Sequence, residues 1–423
     1  MLRRAFPDVY EGWIVVGSSG TVILVVAAIF FYGFGTIFND VRDEFGWSNA
    51  STALAFSLRN EVGGVGAILV GIAIDRVGPR RVLYVGITVA GIGVLAMSYV
   101  QELWHFYLVM VVVALGSSAA GGQVGLAAIA TWFRERRAFA MSVMTIGGGL
   151  GGIFVIGVAA LVDAAGWRWA LRVLAAFMVV VGLVVGGNVR SRPADHPQPL
   201  DGRRRSSTRA EAEPESASRW GVPVRAAITS RSFVLLALAM FGSSFGFVAL
   251  AVHQIPYMET QIGVSKAVAS SSVAVFTLTS IVGRIGFGYL ADRYSKRVML
   301  ALALALLAGG MPILAFADSY WQAILGIAIA APGFGGTVPL RPAMAADYFG
   351  LRSFGTINGV VQFVSTTGGA AGPWVVGRIV DIEGEYAAGW LVAAAVVALV
   401  GIPAALAATP PTALRDRHSS AAQ

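Results

Sequence analysis

The sequence predicts an all-α membrane protein with 12 transmembrane helices in two six-helix pseudo-symmetric bundles, and three observations carry that expectation. The first is composition: 56% of the 423 residues are hydrophobic and 13% are charged, with a mean hydropathy of +0.72, where a soluble domain carries about 25% charge. The second is a series of apolar stretches close to the ~20 residues that cross a bilayer. The third is an internal repeat. Gly71, Asp75, Arg76 and Arg80 recur as Gly288, Asp292, Arg293 and Arg297, each 217 positions later, and Gly46 and Ser48 recur as Gly263 and Ser265. An ungapped match over about 35 residues makes the second half a copy of the first.

Taken in order, residues 1–188 hold spans at 13–37, 49–74, 81–99, 105–131, 138–162 and 168–188. Residues 231–408 hold spans at 231–255, 265–290, 298–317, 320–345, 354–379 and 387–408. Between them, 189–230 is rich in Pro, Ser and Arg (Arg203-Arg204-Arg205-Ser206-Ser207, Glu211-Ala212-Glu213-Pro214-Glu215) and too polar to bury a core, so it reads as a flexible cytoplasmic linker. Regulation through Ser206 or Ser207 is a second reading of it. Residues 409–423 form a cytoplasmic tail.

With the N-terminus inside, the inner side receives Arg3, Arg4, Arg76, Arg80, Arg81, Arg134, Arg136, Arg137, the central loop, Arg293, Lys296, Arg297, Arg341, Arg352, Arg415 and Arg417. The outer side receives Arg42, Arg168, Arg172, Lys266 and Arg378. That bias puts both termini in the cytoplasm. It also accounts for the net charge of +8 without nucleic acid as a partner. The absence of cysteine excludes disulfides, thiolate metal sites and cysteine nucleophiles. No P-loop lysine pattern is present, so no nucleotide-driven pump is expected. The segment before the first span is too short and polar for a cleavable signal. Only Lys266 and Lys296 are lysine among 31 basic residues, which with so much Ala, Gly and Val suggests a GC-rich bacterium and its inner membrane.

The turn after span two reads Gly71-x-x-x-Asp75-Arg76-x-Gly78-Pro79-Arg80-Arg81; the turn after span eight keeps Asp292, Arg293 and Arg297 and has Ser295 for the second glycine. With two six-helix halves and a long central loop, these turns resemble the major facilitator superfamily over the whole chain outside the loop and tails. The resemblance implies the major facilitator fold and a cytoplasmic gate in which Gly71, Asp75, Arg76, Arg80, Gly288, Asp292, Arg293 and Arg297 latch neighbouring helices. Tyr10-Glu11-Gly12-Trp13, Trp132-Phe133-Arg134-Glu135-Arg136-Arg137, Gly166-Trp167-Arg168, Asp347-Tyr348-Phe349-Gly350 and Gly372-Pro373-x-x-x-Gly377-x-x-x-Asp381 narrow it to bacterial monocarboxylate transporter-like proteins, near the oxalate/formate porters. Arg284 stands where those proteins place a span-eight arginine that binds the substrate carboxylate. Tyr32 replaces the span-one lysine of the animal type, Ser280 replaces an aspartate one turn before the arginine, and span eleven offers Asn358 and Gln362 instead of a lysine. One cation suits a monocarboxylate better than a dicarboxylate.

Charged groups inside spans carry the functional reading, because an arginine at mid-bilayer costs about 2.5–3.5 kcal/mol on insertion scales. Thr277, Ser280 and Arg284 share a helix face, where two hydroxyls and a guanidinium fork make a carboxylate cradle. The alternative is that Arg284 pairs with a packing acid or a carbonyl. Arg59 and Glu61 lie near the midplane of span two. A desolvated Glu61 suits proton uptake and release, with a static pair to Arg59 as the alternative. His253 is a further proton site or an interfacial histidine with a satisfied ring. Asn358, Gln362, Ser365 and Gly369 form a polar stripe facing the cavity or another helix, and Tyr32 is an aromatic hydrogen-bonder for the substrate.

These residues point to a secondary transporter of a small organic monocarboxylate, proton-coupled, working by alternating access. An organic-anion exchanger or an exporter of an unrelated metabolite on the same fold is the alternative, and a nutrient sensor a remote one. With His105, His196, His253 and His418 unpaired in depth, an enzyme is not expected. Neither is a cofactor or a metal. The expected partners are the small organic anion, a proton and the lipid bilayer, and the expected state is a monomer.

Overall fold

The computed structural model describes residues 9–193, 198–202 and 220–412, with the backbone alone at several positions of the second span, Arg59 and Glu61 among them. It is all-helical there apart from an isolated bridge between Gly221 and Gly350. The first half comprises α1 (Glu11–Val26), a π-helical turn (Ala27–Tyr32), a 3-10 turn (Gly33–Ile37), α2 (Phe38–Phe45), α3 (Asn49–Val77), α4 (Pro79–Met97), α5 (Leu103–Ala120), α6 (Gly122–Trp132), α7 (Arg137–Ala165) and α8 (Trp167–Gly186). The second comprises α9 (Val224–Ile228), α10 (Arg231–Thr260), α11 (Lys266–Ala291), α12 (Lys296–Ala315), α13 (Tyr320–Phe349), α14 (Phe354–Glu383), α15 (Ala387–Val396), a π-helical turn (Val397–Gly401) and α16 (Ile402–Ala407).

Among the described residues, ten helices are long and apolar enough to cross a membrane. The two other expected spans are helices too, α3 with 29 residues and α14 with 30, and both are the more polar of the set. Apolar side chains point outward along these helices: Ile156 is 70% exposed, Val282 68% and Leu399 76%. In water such a surface would drive association; against lipid it is the expected outer face.

Two compact units emerge from the packing. One holds residues 1–220 with 351–359, the other 221–350 with 360–423. In the first unit α4 packs on α5 and α8, α3 on α5, and α1 on α7. In the second, α13 packs on both α11 and α12. The 217-residue repeat extends to these contacts. Gly66 abuts Leu115 between α3 and α5, and Gly283 abuts Pro332 between α11 and α13, both partners displaced by 217 positions. Ser118 donates to the Gly63 carbonyl at 3.3 Å, and their counterparts Gly335 and Ser280 lie in backbone contact. Gly116 against Ala90 recurs as Gly333 against Leu307. Small residues recur at the same places because the same pairs of helix backbones approach closely there.

Part of the segment expected to be a flexible linker carries fixed contacts in the first unit. The indole of Trp132 donates to the Arg190 carbonyl at 2.8 Å, and the Arg192 amide donates to Thr131 Oγ1 at 2.8 Å. Arg190 also forms an ion pair with Glu11. Asp201 is buried, and its carboxylate accepts the backbone amides of Arg134, Glu135 and Arg136 at 3.1–3.2 Å. Three consecutive amides between α6 and α7 have no helical acceptors, so an acid satisfies them. Ser206 and Ser207 lie outside the described residues.

Candidate functional site

The interior of α11 holds the central candidates. Ser280 and Arg284 are one turn apart, and α13 closes on their backbone. A Cβ on Gly335 would collide with the Ser280 carbonyl oxygen and lie 3.1 Å from the Arg284 amide nitrogen, so only glycine permits this approach. Ser280 is buried, and its hydroxyl has no hydrogen-bond partner among the described residues. Arg284 is half-buried, with its Nε buried. Thr277 returns its hydroxyl to the Val273 carbonyl at 2.8 Å, so of the two hydroxyls on this face only that of Ser280 is uncommitted.

An aromatic group lies on the neighbouring helices. Phe247 of α10 stacks on Phe334 of α13, with ring centroids 3.5 Å apart, and Phe276 of α11 flanks both at 5.5 and 6.0 Å. Phe334 immediately precedes Gly335, which places these rings beside the backbone of Ser280 and Arg284.

The stripe on α14 divides. Gln362 Oε1 accepts from Arg341 Nη1 of α13, and its amide nitrogen reaches Thr366 Oγ1 at 3.4 Å. Ser365 is buried and shares a hydrogen bond of 2.5 Å with Ser244 of α10. Gly369 lies 3.0 Å, measured from an added Cβ, from Val248 of α10. Asn358 is 1% exposed, and its Oδ1 has no partner among the described residues. Arg341, not among the sequence-predicted site residues, is a cation inside a membrane-length helix. The span drawn over 320–345 already encloses it, but its assignment to the inner side as an orientation-setting charge hid it.

His253 donates from Nε2 to the Pro373 carbonyl at 2.9 Å, because a carbonyl only accepts. Its ring stands edge-on to Tyr386 at 5.6 Å. In the first unit, Tyr32 closes the π-helical turn where α1 gives way to a 3-10 turn, an irregularity common at functional positions. Its ring covers Gly152 of α7, 3.5 Å from where a Cβ would stand. Arg59 and Glu61 lie on α3, and their side chains are outside the described residues.

The residues expected to form a gate separate into two kinds. Arg76, Arg80, Arg293 and Arg297 are exposed; Arg80 leans on the Tyr84 ring and Arg293 on the Tyr289 ring. Asp75 instead accepts from the Gly355 and Thr356 amides at 2.8 Å and from Thr356 Oγ1 at 2.7 Å. Its partners are the free first-turn amides of α14 and a hydroxyl, with no arginine among them. Gly71 lies against the Gly355 carbonyl, which allows that approach. Gly288 is buried and Asp292 half-buried. Beside them Lys296 pairs with Asp347 of α13 at 2.9 Å.

The motif residues near the N-terminus form a packing cluster. Tyr10 donates to the Trp132 carbonyl at 2.8 Å, and Phe133 is edge-on to both Tyr10 and Trp13. Burial pushes the Tyr10 hydroxyl up to about 12. Two cavities, of about 640 Å³ beside Ser230 and Pro410 and about 410 Å³ beside Asp75 and Arg192, lie away from Arg284. Among the described residues no cluster of three or more His, Asp or Glu is placed to hold a metal ion.

Comparison with known proteins assigns this architecture. An MFS-type transporter of Gibberella moniliformis is 28% identical over 74% of this chain and 72% of its own. Monocarboxylate transporter 12 of Rattus norvegicus is 26% identical over 91% of this chain and 83% of its own. In three dimensions the E. coli fucose:proton symporter FucP superposes with a TM-score of 0.71 at 15% identity, covering 93% of this chain and 97% of that one. The human organic anion transporter MFSD10 gives 0.72 at 16% identity, covering 94% and 100%. The family model described as Major Facilitator Superfamily matches residues 20–254 and 236–423, and with it the chain belongs to that superfamily of membrane transporters.

Proposed function

We propose that this secondary transporter carries a small organic monocarboxylate, coupled to a proton. The observation that supports the reading most is the Ser280–Arg284 pair: a guanidinium half-buried inside a membrane-length helix, one turn from a buried hydroxyl without a partner. A planar fork and a hydroxyl donor match the two oxygens of a carboxylate. Arg284 also has no counterpart in the first half, where Ala67 stands 217 positions earlier. What the repeat does not explain belongs to substrate rather than scaffold. Distant relatives named monocarboxylate transporters support this substrate class.

Glu61 is the proposed proton carrier, with Arg59 as its modulator. His253 is the weaker choice, since its Nε2 is committed to the Pro373 carbonyl. Tyr32, Thr277, Asn358 and Gln362 complete the proposed substrate contacts. The repeated turns, Gly71 to Arg80 and Gly288 to Arg297, serve as the gate.

Counterflow in proteoliposomes tests the reading, with lactate, pyruvate, acetate, formate and benzoate, each with and without a pH gradient. The expected result is carboxylate flux that a proton gradient accelerates and that Arg284→Ala abolishes at unchanged surface expression. Flux that ignores the gradient selects the anion exchanger. Proton-driven flux that survives in Glu61→Gln removes Glu61 as the carrier.

A further inference from the structure

We infer that Arg341, held by Gln362, is a second carboxylate-binding point in the C-terminal unit, one that a transported organic anion occupies between the Arg284 level and the end of the bundle bearing the Lys296–Asp347 pair. The inference rests on the carboxylate reading of Arg284 and extends it to a residue that neither the repeat nor the family turns single out.

Arg341 sits inside α13, a membrane-length helix. An ionisable group at such a place is costly unless its charge is compensated. Among the described residues no carboxylate pairs with it. Among those residues it donates to the neutral Oε1 of Gln362, and its buried Nε has no partner there. The nearest acid along the helix, Asp347, is taken by Lys296 at 2.9 Å. A guanidinium held on one side by an amide and, among the described residues, matched by no acid is arranged to receive an anion. Thr366 steadies the amide from behind, at 3.4 Å from Gln362 Nε2.

Position supports the same assignment. The Lys296–Asp347 pair joins the turn after α11 to the last turn of α13, so the two helices end on the same side of the unit. Gly335 abuts the Arg284 backbone, and Arg341 lies six residues, or about 9 Å, farther toward that end. The two arginines are therefore staggered along one direction of travel. Pro339 and Pro342 bracket Arg341 and withdraw two amide donors from α13, which loosens the helix where the cation sits. Like Arg284, Arg341 is absent from the first half, where Val124 stands at its place in the repeat.

The test uses the full chain in detergent, its melting midpoint followed as sodium chloride is replaced by sodium lactate, pyruvate or benzoate at constant ionic strength. The wild type is expected to be stabilised by a carboxylate over chloride. Arg341→Gln is expected to need about tenfold more of that carboxylate, or worse, as follows from losing a charge-assisted hydrogen bond. Arg341→Lys, which keeps the charge and loses the fork, is expected to fall between. Without carboxylate, Arg341→Gln is expected to melt no lower than wild type, because it removes an unpaired cation, and a clearly lower midpoint would mark Arg341 as a structural residue and overturn the inference. If Arg341→Gln does not fold, Gln362→Ala decides: weakened carboxylate stabilisation supports the site and a wild-type response overturns it. A carboxylate response lost in Arg284→Gln and kept in full by Arg341→Gln overturns this inference alone. A wild type that no carboxylate stabilises overturns the carboxylate reading and takes this site with it.

Discussion

Asp75 grips Thr356 twice, through the amide at 2.8 Å and the hydroxyl at 2.7 Å, and so caps the first turn of α14 from the end of α3. A carboxylate at a helix N-terminus satisfies amides that have no partner within the helix, and it meets the positive end of the helix dipole. The family turn thus acts here as a cap on a distant helix.

The cap predicts a graded series. Asp75→Ala should destabilise the protein by about 0.5–2 kcal/mol, the usual range for losing an N-cap. Asp75→Asn, which keeps one acceptor oxygen, should lose less. Thr356→Val removes one of the three hydrogen bonds, and its effect should not add to that of Asp75→Ala, because the two side chains share a contact. Chemical denaturation of the purified protein reads the three single variants and the Asp75→Ala/Thr356→Val double; additive losses would show that the Thr356 hydroxyl bond contributes nothing to the cap.

At Arg284 the prediction concerns shape as well as charge. Arg284→Lys keeps a cation but donates as a point, without the planar fork. Uptake should fall by about tenfold or more at equal surface expression, the cost of one charge-assisted hydrogen bond. Ser280→Ala should raise the half-saturating substrate concentration with a smaller effect on maximal flux, since its free hydroxyl is a supporting donor. Ser280→Ala transport identical to wild type would take the serine out of the cradle.

Much of this was legible in the chain. Ten of the expected spans are helices long and apolar enough to cross a membrane among the described residues, and the repeat read at Asp75 and Asp292 extends to pairs such as Gly66–Leu115 and Gly283–Pro332, because a sequence offset preserves helix register. Side-chain partners were not legible. The turn suggests that Asp75 latches a neighbouring helix, but not that its partners are the amides of Gly355 and Thr356, which a sequence pattern does not display. Arg341 reads as an orientation charge in sequence, because a basic residue near a span end looks the same whether it faces water or Gln362. Asp201 lies in a polar stretch whose composition resembles disorder, and only the three stranded amides opposite it explain its burial.

Asp201 yields its own prediction. Removing the carboxylate strands the amides of Arg134, Glu135 and Arg136 in a buried place, and each unsatisfied group costs about 1–3 kcal/mol unless water reaches it. Asp201→Ala should therefore open the α6–α7 connection and raise hydrogen exchange there by at least about tenfold. Asp201→Asn should be milder, because asparagine tolerates the left-handed backbone at φ 59° and keeps a carbonyl acceptor. Exchange measured by mass spectrometry on peptides covering residues 130–140 separates these cases; unchanged protection in Asp201→Ala would show that the loop is held by its other contacts.

The contact between α11 and α13 can be probed at a single atom. A methyl on Gly335 would collide with the Ser280 carbonyl and press on the Arg284 amide, and both are backbone, so neither can turn aside. Overpacking of this kind costs about 1–3 kcal/mol. It would also push α13 away from the residues that bind substrate in the reading above. Gly286, two residues beyond Arg284, has nothing within 4 Å of its added Cβ. Gly286→Ala should therefore keep or slightly raise stability, since alanine loses less backbone freedom in a helix. The two glycines lie on neighbouring helices, Gly286 on α11 and Gly335 on α13, and predict opposite outcomes. Gly335→Ala should lower the melting midpoint and depress transport, and Gly286→Ala should do neither. Equal behaviour of the two variants, followed by thermal size-exclusion chromatography and uptake, would show that α13 yields at this point and that the close approach does not hold Ser280 and Arg284 in place.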